Sequence, residues 1–210
     1  MTSITGVIIQ VPDASLPGRA LATNLELAPT QLAQRTFMTS PVPFTSCRVW
    51  DAMQTMVVGT AATDDLALIT GTPGTHQPKL SAGDCKAAGT TTRKVAFELD
   101  VPANYDDGQT FQLRIRGGIE TTLSDGACTV DLQAWKPDGA GAVGSDLVST
   151  AATSIKSLSP LDVDFTIDAS AIDPGDKLIC VVTIACTDAA TGTAVTPVIY
   201  SITRRCDTRG

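Results

Sequence analysis

The chain predicts an all-β protein: an antiparallel jelly-roll or Greek-key β-sandwich over residues 46–210, preceded by an extended N-terminal arm over residues 1–45. Three observations predict it. Residues 177–187 alternate, with Leu178, Cys180, Val182, Ile184 and Cys186 on one face and Ile179, Val181, Thr183 and Ala185 on the other. A period of two is the signature of an extended strand. Similar runs recur through the C-terminal half at spacings of about ten to twenty residues, parted by Gly, Pro and Asp turns, which is the rhythm of a sandwich. Helical periodicity is nearly absent, and connections of uneven length favour Greek-key or jelly-roll wiring over a meander.

In chain order, the arm has some strand content at 5–11 and prolines at 12, 17, 29, 41 and 43. Residues 23–35 read as a short helix or an extended segment, and Pro29 interrupts either. The arm is rich in apolar residues, among them Val7, Ile8, Ile9, Leu25 and Leu27. That is too many for a free tail, so these five are candidate partner contacts. Strand signals at 48–53 and 55–59 are weak. Asp65–Thr70 (DLALIT) is clearer and stops at Gly71-Thr72-Pro73-Gly74. A long polar loop then runs to Thr92, and loops of such length are usually contact or functional sites.

The regular part follows. Arg93–Leu99, Thr110–Gly117, Ala127–Lys136 and Leu161–Ile167 each alternate apolar with polar residues. The strand from Lys177 is apolar on both faces and should lie centrally, covered on both sides. Ala194–Thr203 closes the fold, with Pro197 marking an edge or a bulge.

Composition narrows the function. Of 210 residues 43 % are hydrophobic but only 4 % aromatic, which suits thin, closely stacked sheets better than a wide ligand cavity. Charged residues make up 18 %, below the usual quarter, and a surface poor in charge is often one that meets other protein. A net charge of −7 argues against nucleic acid, whose binding needs clustered Lys and Arg. Arg204, Arg205 and Arg209 read as a solvated or subunit-contacting tail. The start lacks a basic n-region and no apolar run approaches the roughly 18 residues of a membrane span. The expectation is a soluble protein made in the cytoplasm, with no membrane partner.

None of the six cysteines forms a CxxC pair, so spacing predicts no zinc site. Cys180 and Cys186 share a strand face about 20 Å apart and cannot bond each other. Reduced thiols filling small core positions are expected, with crosslinks geometrically easier at Cys47, Cys85 and Cys206, near element ends.

The run VPANYDDGQTFQLRIRGGI (101–119), with the later stretches 128–150 and 154–195, resembles segments of structural proteins of tailed bacteriophages. The resemblance covers about half the chain and leaves the arm uncovered. It implies a jelly-roll-like virion component of the head-decoration or head-fibre type.

Candidate chemistry is sparse. His76, the only histidine, sits in a loop with no serine elbow, and a general base needs a positioned partner. The pairs Asp106-Asp107 and Asp173/Asp176 offer oxygen ligands at calcium-like spacing, although Asp is also the preferred turn residue. Asp162 and Asp164 read as the solvent side of their strand. Trp50, Trp135 and Tyr105 could make a sugar-stacking platform. Trp135, on the polar face with Asp131 and Gln133, is either an exposed contact or a rim residue under a loop or the arm.

These readings lead to a non-enzymatic virion structural protein with no catalytic residues, metal or cofactor. The expected role is a capsid decoration protein, a homo-oligomer and possibly a trimer, bound to the major capsid protein or other virion proteins at the capsid surface. A tail- or fibre-borne carbohydrate-binding module, contacting through Trp135 and the 72–92 loop, is the alternative. A shell-forming single-jelly-roll coat protein is the second.

Overall fold

Alternating burial sets the layers. On β9 (Lys177–Asp188) Leu178, Cys180, Val182, Ile184 and Cys186 are fully buried, whereas Ile179, Thr183 and Ala185 between them are only half-buried. One face of the strand therefore meets the core and the other looks outward. The computed structural model describes residues 35–209 apart from 57, 60–62, 73, 88 and 189–192. Expectations that fall on residues 1–34, including the 5–11 strand, lie outside the described residues.

The other strands are β1 (Arg35–Pro41), β2 (Ala67–Ile69), β3 (Lys79–Ser81), β4 (Gly89–Asp100), β5 (Phe111–Thr121), β6 (Cys128–Trp135), β7 (Thr153–Ser154), β8 (Leu161–Thr166) and β10 (Val195–Arg209). One sheet has the order β2-β3-β10-β5-β8, with β1 also on β10; the other is β4-β9-β6-β7. All ladders between named strands are antiparallel. From β3 to β10 the chain changes sheet at every connection except β6 to β7. That is eight-stranded jelly-roll wiring, two Greek keys folded face to face. The all-β sandwich read from alternation is the fold.

The inward residues of both sheets make one core, with Phe97, Phe111 and Phe165 fully buried and Tyr105 edge-on to Phe111 at 5.5 Å. The segment 146–149 laces the two sheets along one side. Leu147 N–H donates to Ala134 of β6, while Ser149 N–H donates to Thr166 of β8. The Asp146 carboxylate accepts from the Ala134 and Val148 amides.

Several boundaries differ from expectation. Residues 35–41, expected in the arm, form β1 and pair with Thr203–Arg209 of β10. The loop expected from 71 to 92 contains β3 and the first residues of β4, because backbone pairing to β10 and β9 supplies what side-chain pattern does not. Residues 48–55 form a turn bridged to Ala96, not a strand. Pro197 lies inside a central strand; its carbonyl accepts from Ala82 just past the end of β3, and the register shift falls at Ile199/Ser201. The expected cover on both faces of β9 is also incomplete, since the second sheet packs on one face alone. The arginines at the end are no tail: Arg204 donates to the Asp100 carbonyl, Arg205 pairs with Asp164 at 3.0 Å and Arg209 with Asp106 at 2.5 Å.

Candidate functional site

The outward faces of the two sheets differ in kind. On the six-stranded sheet the outward charges are consumed by one another. Arg114 holds Asp164 through Nε and Nη2, Arg116 holds Asp162 at 2.9 Å, and Arg205 adds a third contact to Asp164. At the far end Lys79 and the Tyr200 hydroxyl both bond Glu120. Asp162 and Asp164 thus do lie on the solvent side, as lattice points and not as metal ligands.

The outward face of the four-stranded sheet does not meet the second sheet, although Ala96 and Val181 at its centre are buried. Register sets Glu98, Ile179 and Trp135 in one row, Ala96, Val181 and Gln133 in the next, and Lys94, Thr183 and Asp131 in a third. Trp135, Gln133 and Asp131 are all half-buried. Their side chains make no hydrogen bond or ion pair to another side chain among the described residues. Burial raises the Asp131 carboxyl above the usual carboxylate range, and the negative charge of Asp146 pushes the same way. The β6 face thus presents an indole, an amide and a carboxyl beside half-buried Ile179, with Val181 in the middle row buried. From Trp135 to Asp131 it spans about 13 Å at 3.3 Å per residue, and about 10 Å across three strands.

The aromatic trio named from sequence is not brought together. Tyr105 is 2 % exposed and belongs to the core. Trp50 sits at the β4 edge, where Lys94 lies over its ring at 4.2 Å and Asp64 accepts its N–H at 3.2 Å. Trp135 alone faces the open sheet. Val7, Ile8, Ile9, Leu25 and Leu27 lie outside the described residues. His76 is exposed; its ring meets the Thr75 hydroxyl at 3.0 Å and its backbone N–H donates to the Thr72 carbonyl. Lys136 takes Asp173 and Asp176, and Arg209 takes Asp106, so the calcium-like spacings serve turns and ion pairs. What the sequence did not reveal is the company of Trp135. Strand pairing alone sets Ile179 and Glu98 beside it.

The carboxylates of this face are Glu98 and Asp100 on β4, which share Lys177 at 3.9 and 3.3 Å, and Asp131, two strands and four residues from Glu98 in register, about 16 Å from sheet spacings. Elsewhere a depression of about 650 Å³ forms an open groove along Gly108–Gln112 and Asp146–Ser149.

No family model and no curated protein matches the chain. Among solved structures, one similar to it is the CBM22-1 xylan-binding domain of Xyn10C from Paenibacillus barcinonensis, with 9 % identity over 68 % of this chain and 81 % of that one, at a TM-score of 0.37. Another is the CBM36-1 domain of a multidomain xylanase from the hindgut metagenome of Trinervitermes trinervoides, with 13 % identity, 81 % and 96 % coverage and a TM-score of 0.35. A third is the CBM28 module specific for non-crystalline cellulose, with 12 % identity, 78 % and 85 % coverage and a TM-score of 0.40. At this level of similarity they do not bear on what this chain binds.

Proposed function

We propose that the chain is a non-catalytic carbohydrate-binding β-sandwich, carried on a phage tail or fibre, whose ligand lies across the outward face of the four-stranded sheet. The observation that carries this is the trio Trp135, Gln133 and Asp131. They hold successive outward positions of one strand, half-buried and, among the described residues, unspent on other side chains, next to half-buried Ile179. An indole face stacks on the apolar face of a sugar ring, and amide and carboxylate groups take up hydroxyls. On the opposite sheet Arg114, Arg116 and Arg205 are taken up by Asp162 and Asp164, and the Gln112 amide by Thr166. The phage context rests on the resemblance of residues 101–119, 128–150 and 154–195.

The test is to titrate the protein with a panel of plant and bacterial-surface polysaccharides, following tryptophan fluorescence and affinity electrophoresis. Retardation by at least one glycan, lost in Trp135→Ala and retained in Arg116→Ala, supports the reading. Indifference to the whole panel, or binding unchanged by Trp135→Ala, overturns it.

A second reading, the capsid decoration protein, is favoured by the sheet edges. The six-stranded sheet exposes Phe37 (45 %) on β1 at one side, and Leu158 (57 %) and Leu161 (40 %) at β8 on the other. Two different apolar edges suit a heterologous contact that closes into a ring. Light scattering of the pure protein and its copy number in purified virions test it: a ring and hundreds of copies support decoration, a monomer at low copy number does not.

A further inference from the structure

Cys128 and Cys186 stand directly opposite each other on β6 and β9, both fully buried on the inward face. The neighbouring pair, Ala127 and Thr187, is hydrogen-bonded through Thr187 N–H. Cys128 and Cys186 are therefore a non-hydrogen-bonded pair, in which side chains approach most closely and Cα atoms sit about 4.5 Å apart. A disulfide needs Cα atoms about 4.4–6.8 Å apart, so this pair meets its geometry without moving the backbone. A third thiol joins them. Cys85, fully buried on the connection between β3 and β4, interacts with Cys186, as does the Ser124 hydroxyl.

Charges of both signs surround them. Arg93, whose buried Nε and Nη1 have no hydrogen-bond partner among the described residues, acts on Cys85 against the opposing charge of Asp84, while Lys156 acts on Cys128 and Cys186. Nearby cations favour the thiolate, the reactive form. Side-chain interactions with Cys128, Cys85 and Ser124 ease Cys186 toward ionisation and hold the two partner thiols up, while the Cys85 thiol and the Ser124 hydroxyl donate to the Gly83 and Gly126 carbonyls. The remaining cysteines lack this company: Cys47, Cys180 and Cys206 are raised chiefly by burial.

We propose that Cys186 forms a cross-strand disulfide with Cys128 in oxidising surroundings, with Cys85 as the adjacent thiol able to exchange into the bond. The oxidant is a small-molecule disulfide. The Cys186 thiolate attacks one of its sulfurs, making a mixed disulfide and expelling one small thiolate. The Cys128 thiolate then attacks Cys186 Sγ and expels the second. The protein loses two electrons and two protons, which leave as two small-molecule thiols. Because all three sulfurs are enclosed, exchange proceeds when the sandwich end opens or during folding.

The experiment equilibrates the full chain, purified reduced, with graded ratios of oxidised to reduced glutathione. Acid quenching is followed by thiol counting in denaturant and by peptide mapping that separates Cys180 from Cys186. The expected result is a fall from six thiols to four, with Cys128 joined to Cys186. In Cys128→Ala the bond moves to Cys85–Cys186, and in Cys186→Ala no thiol is lost. Six thiols retained at a ratio that oxidises the unfolded chain overturns the proposal, as does a first bond involving Cys47, Cys180 or Cys206. The wild-type map decides the matter even if a variant fails to fold. It is independent of what the outer sheet face binds.

Discussion

Arg114 grips Asp164 across the β5–β8 ladder with two parallel bonds, Nε to Oδ1 and Nη2 to Oδ2, each 2.7 Å. The fork holds the Asp164 carboxyl below the usual carboxylate range, helped by Arg205. A depressed carboxylate adds stability that is present above its unfolded value, near 3.9, and lost as pH falls through the folded value. Asp164→Asn should cost about 1 kcal/mol at pH 7, since a pair a third exposed is partly screened. Urea unfolding should show the gap narrower at pH 3 than at pH 7. An equal gap at both pH values would mean that packing, and not charge, is at stake.

Gly118 explains part of the RIRGGI run. A Cβ there would stand 2.9 Å from the Ser157 carbonyl and 3.4 Å from Pro160 Cα, both backbone. The 157–160 connection crosses directly over β5, and Ile119 N–H donates to the same Ser157 carbonyl at 2.8 Å. Gly118→Ala should therefore cost about 1–3 kcal/mol, as overpacking does. Gly144→Ala, with open space around it, is the control. Thermal unfolding that leaves both variants alike would contradict the close approach.

The end of the chain should be essential. Thr203–Arg209 is paired to β1, and as far as Cys206 to β5 as well. Cys206 and Thr208 are buried on its inward side. A chain stopped after Thr203 should fail to fold cooperatively by circular dichroism, whereas a solvated tail could be removed without effect.

That strand shows where sequence reading works and where it stops. The β9 pattern is legible because each inward residue is apolar. In the last turn of β10 the inward positions are Arg204, Cys206 and Thr208, and the outward ones carry Arg205 and Asp207, so charge hides the period of two. β3 is missed for another reason: three residues are too few to alternate, and β10 alone makes them a strand. Trp135 was legible as outward, since Asp131 and Gln133 share its parity. Its neighbours were not, because sequence does not state which strands pair. The thiol group of Cys85, Cys128 and Cys186 is hidden in the same way: the three lie far apart in sequence and meet only through register and loop placement.

Asp131 separates stability from binding. Its carboxyl is raised chiefly by burial, with Asp146 adding repulsion. A raised folded value means the contribution is most favourable below the unfolded value, near 3.9, and is lost as pH rises through the folded one. At neutral pH the ionised group therefore costs stability. Asp131→Asn keeps the shape and removes the charge, so the melting temperature should rise at pH 7 and stay unchanged near pH 3. If the outward face binds glycan, the same variant should weaken that binding at pH 7, because a carboxylate accepts hydroxyl hydrogens more strongly than an amide oxygen. A variant more stable yet weaker in binding would mark Asp131 as a group kept for its ligand at the expense of the fold. A melting temperature that falls at pH 7 would show that the carboxylate has a stabilising partner on the face and would remove it from the ligand surface.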